Sequence, residues 1–123
     1  MSLIKNQYEL FLIAIGFLTR IPIPQKTDFS EQKLNHASKY FPAVGWLVGI
    51  FTAGLFSTFE TAFPKTIAVI FSLLFAILLT GAFHEDGLID TADGLGGGWS
   101  KDQKLDIMKD SRIGTYGAIA IWF

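Results

Sequence analysis

Cysteine is absent from the 123 residues, which removes disulfides, thiolate metal ligands and a cysteine nucleophile from consideration. Charge is scarce: 17% of residues are Asp, Glu, Lys or Arg, against about 25% in an ordinary soluble domain. There is no basic excess either, since the formal net charge is −1. A nucleic-acid partner is therefore not expected, because phosphate-backbone binding needs a basic face. No secretory signal is evident. The first apolar run starts at Leu10 and closes at Arg20-Ile21-Pro22 without a small-residue cleavage pattern. What fills the chain is apolar: half the residues are hydrophobic, twelve are phenylalanine, and the mean hydropathy is +0.41. That balance points to a membrane-resident protein.

The apolar residues come in runs separated by short polar stretches, which predicts an all-α, polytopic integral membrane bundle. Leu10–Leu18 is nine apolar residues, too short to span, and Pro22 and Pro24 close it. A short re-entrant or interfacial helix over 10–20 is expected there, followed by a second short interfacial helix near 31–40. Residues 41–59 form nineteen uncharged residues, and residues 66–83 eighteen more. With only the Glu60–Lys65 turn between them, these two runs must form an antiparallel transmembrane hairpin. Gly45 and Gly49 stand in the G-x-x-x-G spacing of a helix-contact face. The uncharged run 113–123 is eleven residues long, about half of the ~20 that a span requires. It reads as a truncated span, and residues 1–123 as a single membrane domain from the N-terminal part of a longer protein.

Lysine and arginine give the orientation. Residues 1–40 carry Lys5, Arg20, Lys26, Lys33 and Lys39, and residues 84–112 carry Lys101, Lys104, Lys109 and Arg112. The hairpin turn holds only Lys65. Two spans place both basic groups on one side, which the positive-inside tendency makes cytoplasmic.

The chemistry is concentrated directly after the second run, in HEDGLIDTADGLGGG (84–98), where four carboxylates fall within nine residues. On a continuing helix Asp86, Asp90 and Asp93 share one face within about 60°, with Glu85 about 100° away from Asp86. Stacked like charges repel and need compensation, for which a divalent cation with oxygen ligands is well suited. The alternative is a solvated acidic helix start favoured by the helix dipole. The Gly94–Gly98 run is expected to break the helix, either offering backbone amides to phosphate or serving simply as a flexible loop. It matches neither a P-loop nor a dinucleotide fingerprint. Ser100-Lys101-Asp102-Gln103 is a capping-box pattern opening a helix with Leu105 and Met108 on one face. Beyond it, Asp110 is a candidate to bind metal or orient a hydroxyl, and Arg112 to clamp a phosphate. Clustered carboxylates, a basic clamp and glycines at a membrane boundary suit metal-assisted phosphoryl transfer.

HEDGLIDTADGLGGG, followed by IMKDSRIGTYG (107–117) and preceded by FLTRIPIP (17–24), resembles the cobalamin synthase family, the adenosylcobinamide-GDP ribazoletransferases. The resemblance implies a Mg²⁺-dependent enzyme of the bacterial cytoplasmic (inner) membrane, and the lysine and arginine distribution turns its active site to the cytoplasm. Such an enzyme joins adenosylcobinamide-GDP to α-ribazole, or its 5′-phosphate, and releases GMP. It implies Glu85, Asp86, Asp90 and Asp93 as metal ligands, and Asp110, Arg112 and Glu85 as catalytic groups. A CDP-alcohol phosphotransferase performs similar chemistry, but its Asp-Gly signature continues with Ala-Arg, and here Asp86-Gly87 leads to Asp90-Thr91. A cation channel or transporter subunit could use an acidic mouth, though the second motif would then have no role.

Overall fold

A computed structural model describes residues 2–25 and 27–122. Lys26, one of the basic residues used for orientation, and Phe123, the end of the last apolar run, lie outside the described residues. The chain is all-helical and divides into two compact units, Met1–Gly81 and Ala82–Phe123.

The first unit is built around α1 (Ser2–Leu18). Leu10, Ile13, Ala14, Ile15 and Leu18 form its buried stripe and pack with Ala37 and Val44. Full burial of a side chain such as Ile13 contributes roughly 1.5–3 kcal/mol relative to exposure to water. The helix begins well before the apolar run, contrary to a short 10–20 element, and Gln7 and Glu9 ahead of that run have partners of their own. The Lys33 ammonium donates to Glu9 Oε1 at 2.6 Å. Gln7 Oε1 accepts from Lys39 Nζ at 2.6 Å and from the Tyr40 hydroxyl at 2.9 Å. Polar residues outside the apolar run are thus held on the helix by side-chain bonds across sequence separations of 24 to 33.

Those partners come from α2 (Glu31–Ala37) and the 3-10 turn Ser38–Tyr40, which leads directly into α3 (Phe41–Phe59). Pro42 sits in the first turn of α3, a position where proline is well tolerated. Glu31–Phe59 is therefore one helical stretch of 29 residues, long and apolar enough by length and composition to cross a membrane. α3 packs against α4 (Lys65–Thr80), with Phe59, Phe63 and Phe71 clustered at the turn. α4 stops at Thr80, short of the expected Phe83. Gly81 takes a left-handed φ of 70° and its N–H bonds to the Ile77 carbonyl, a glycine C-terminal stop. Arg20 N–H also donates to the Leu79 carbonyl at 2.7 Å, tying the segment after α1 to the end of α4. The Gly45–Gly49 face meets neither α1 nor α4: a Cβ added at either glycine has no neighbour within 4 Å among the described residues.

The second unit comprises α5 (Phe83–Gly97), α6 (Lys101–Lys109) and α7 (Thr115–Ala120), with α5 packed against both others. The capping box forms as the sequence predicts. Ser100 Oγ accepts from Gln103 N–H at 3.2 Å, and Gln103 Oε1 accepts from Ser100 N–H at 3.2 Å. Replacing Ser100 with Ala orphans the Gln103 amide and is expected to cost about 1 kcal/mol. Thermal unfolding in detergent measures this, and an unchanged midpoint would show that the cap contributes nothing.

The Gly94–Gly98 run does not break the helix where expected. α5 continues through Gly97, and only Gly98 turns to an extended conformation. Glycine costs about 1 kcal/mol relative to alanine inside a helix, so something must offset it here. The offset is close helix packing. A Cβ on Gly94 would lie 2.6 Å from Met108 Cγ and 3.0 Å from the Lys104 carbonyl oxygen. On Gly96 it would run into the Tyr116 ring. The run is therefore a contact surface for α6 and α7 and not a phosphate loop. Met108 occupies that surface as its spacing suggests, whereas Leu105 stays exposed.

Candidate active site

The six candidate site residues all lie in the second unit. Three of them, Asp93, Asp110 and Arg112, line one cavity of about 480 Å³ together with Gly97, Ile107, Gly114 and Tyr116. Glu85, Asp86 and Asp90 do not line it. Both sequence motifs nevertheless meet at this concavity, because α5 supplies Asp93 while the segment after α6 supplies Asp110 and Arg112.

The acidic stripe is real as a helical face. Asp86 and Asp90 lie one turn apart on α5, and their carboxylates have no side-chain partner among the described residues. Glu85 is exposed beside them. Nothing lies within 4 Å of a Cβ built on Gly87, so packing does not account for that glycine as it does for Gly94. The four carboxylates do not gather into a cage: among the described residues no three acidic or histidine side chains are placed to hold one metal ion.

Asp93 is 7% exposed, and its carboxylate is engaged by the start of α7. Oδ2 accepts the Gly114 amide at 2.7 Å and Oδ1 accepts the Gly117 amide at 2.8 Å. A hydrogen bond to a charged group contributes about 1.5–3 kcal/mol. Sequence spacing puts Asp93 on the same face as the other two aspartates. Only the approach of α7 to that face decides what its oxygens meet.

Asp110 and Arg112 form an ion pair at the cavity rim. Arg112 Nη2 reaches Asp110 Oδ2 at 2.6 Å, and Nε reaches both carboxylate oxygens at 3.0 Å. The Arg112 backbone amide adds a further bond to Asp110 Oδ1 at 3.0 Å. These side-chain and backbone bonds from Arg112 lower the Asp110 pKa from its ordinary 3.8 to about 2. The same pairing raises the Arg112 pKa. Arg112 remains 88% exposed in its side chain. One edge of its guanidinium is used by Asp110, and the remaining N–H groups of the fork are free to meet an anion. Asp110 therefore orients the arginine, a role that spacing alone does not reveal.

The unit thus joins a carboxylate-bearing helix to an arginine-rimmed cavity, in an all-helical protein with an apolar helix of membrane-crossing length. The chain belongs to the cobalamin-5-phosphate synthase family, whose profile matches residues 10–123. It is 52% identical over 121 residues to an adenosylcobinamide-GDP ribazoletransferase of Shewanella amazonensis, covering 98% of this chain and 46% of that protein. An adenosylcobinamide-GDP ribazoletransferase of Shewanella piezotolerans is 54% identical over 117 residues, covering 95% and 45% respectively. One from Vibrio parahaemolyticus is 48% identical over 118 residues, covering 96% and 44%. The chain therefore spans about half the length of the curated relatives it matches. No solved structure matches it.

Proposed function

We propose that this chain carries part of the active site of a membrane-bound adenosylcobinamide-GDP ribazoletransferase. A ribose hydroxyl of α-ribazole, or of its 5′-phosphate, attacks the phosphorus that bears the cobinamide. The bond from that phosphorus to the GMP oxygen breaks, and GMP leaves. The observation that carries this reading is the meeting of both motifs at one cavity, with an oriented arginine at its rim and free carboxylates on the adjoining helix.

Within that reaction the chain's own residues divide the work. Arg112, held by Asp110, binds a diphosphate oxygen through the outer edge of its fork. Asp86 and Asp90, with Glu85 beside them, would hold Mg²⁺. Two carboxylates suffice, because this ion commonly takes one or two protein carboxylates and completes its shell with water and substrate phosphate. When bound, the ion supplies charge neutralisation on the diphosphate. Glu85, exposed and unpartnered, would accept the proton of the attacking hydroxyl. The basic groups flanking the hairpin support an orientation with this site on the cytoplasmic side of a bacterial inner membrane.

A transfer assay on the full-length protein in membranes tests the reading, using adenosylcobinamide-GDP and α-ribazole with and without Mg²⁺. The expected result is a corrinoid product and GMP with the ion present, and neither after chelation. Activity on a CDP-activated lipid without GMP release, or Mg²⁺ flux in liposomes without any transfer, would overturn it.

A further inference from the structure

We propose that Asp93 is a positioning residue: its buried carboxylate holds the amides of Gly114 and Gly117, and so fixes the Arg112–Tyr116 segment that walls the cavity. The role rests on the phosphotransfer reading of that cavity and gives the last aspartate of the acidic motif a task different from that of its neighbours.

Four observations carry it. Both carboxylate oxygens are engaged, each by a backbone amide 21 or 24 residues away in sequence. Residue Gly114 precedes α7 and has no side chain with which to cap it, so Asp93 satisfies amides that would otherwise lack a partner at this helix start. The approach requires glycine at both contacts, since a Cβ built on Gly114 or Gly117 would run into the Asp93 carboxylate. Finally, Asp93 is buried, whereas Glu85 and Asp86 on the same helix are exposed and Asp90 is half-buried. A carboxylate serving an ion from solution must present free lone pairs outward, whereas both oxygens of this buried one already accept backbone amides. The last aspartate of the first motif therefore ties down the second motif. Arg112 lies two residues before the first tethered amide, so the tether sets where the guanidinium stands.

The experiment compares full-length wild-type protein with Asp93→Asn and Gly117→Ala in nanodiscs. Asp93→Asn replaces one acceptor oxygen with a donor facing an N–H. Gly117→Ala removes no carboxylate but puts a methyl group where the Asp93 oxygen and Ile89 now pack. Hydrogen exchange across residues 111–117 is expected to speed up about tenfold or more in both variants. The KM for adenosylcobinamide-GDP should rise about tenfold in both, while the half-saturating Mg²⁺ concentration stays within about twofold of wild type. Unchanged exchange in Asp93→Asn, together with a tenfold higher Mg²⁺ requirement, would make Asp93 a metal ligand and overturn the proposal. An unchanged KM in Gly117→Ala would overturn it as well. If the wild type transfers nothing, the phosphotransfer reading fails, and the exchange comparison alone still decides whether Asp93 tethers the segment.

Discussion

Asp90→Asn is expected to lower turnover of the full-length enzyme by about 10³-fold or more while leaving membrane insertion and helix content unchanged. The size follows from what a bound divalent ion contributes to phosphoryl transfer, several kcal/mol, at about 1.4 kcal/mol per tenfold in rate. The selectivity follows from the structure. The Asp90 side chain has no hydrogen bond or ion pair among the described residues, so the isosteric amide disturbs nothing within the fold. Asparagine and aspartate also have similar helix propensities. Measuring kcat at saturating Mg²⁺ alongside circular dichroism separates the two effects. Near-normal kcat would remove Asp90 from the proposed metal ligands.

Arg112→Ala is expected to raise the KM for the GDP-activated substrate by about 100-fold, and Arg112→Lys by about tenfold. Lysine keeps the charge but loses the planar fork that pairs with the Asp110 carboxylate on one edge and leaves the other edge open to an anion. The alanine variant is worse for a second reason: Asp110 is left at the cavity with no cation beside it. Without Arg112 its pKa returns toward the ordinary 3.8 from about 2. That is still far below neutrality, so the carboxylate stays ionised and repels the diphosphate. The double variant Asp110→Asn/Arg112→Ala should therefore bind substrate better than Arg112→Ala alone, a non-additivity expected of residues in contact. Equal KM values for the single and double variants would contradict the pairing. The pH dependence has a definite sign. Because the folded pKa of Asp110 is depressed, the pair's contribution is complete above about pH 4 and is lost as pH falls toward 2. Any activity limb between pH 5 and 8 must then arise from a group other than Asp110.

Much of this is legible in the residues themselves. The capping box at Ser100 and Gln103 forms as read, because it needs only four consecutive residues and no tertiary neighbour. α3 begins and ends where the uncharged run does, at Phe41 and Phe59. The carboxylate face of α5 follows from helical periodicity alone. The motifs carry the family, since their residue types, order and spacing are specific in themselves.

Other features depend on which helices approach one another. The glycines after Asp93 look like a helix break, because propensity counts the local cost of each glycine but not the packing it permits. α6 and α7 press close enough on that surface to keep the helix intact. The residues before Leu10 fall outside the apolar run, and only Lys33, Lys39 and Tyr40, from later in the chain, supply the partners of Glu9 and Gln7. Asp93 is the sharpest case. Sequence determined that it stands on one stripe with Asp86 and Asp90, because helical spacing is local. Tertiary structure alone decided that its oxygens face the amides of Gly114 and Gly117, because the partner of a buried carboxylate is set by whatever backbone is brought against it.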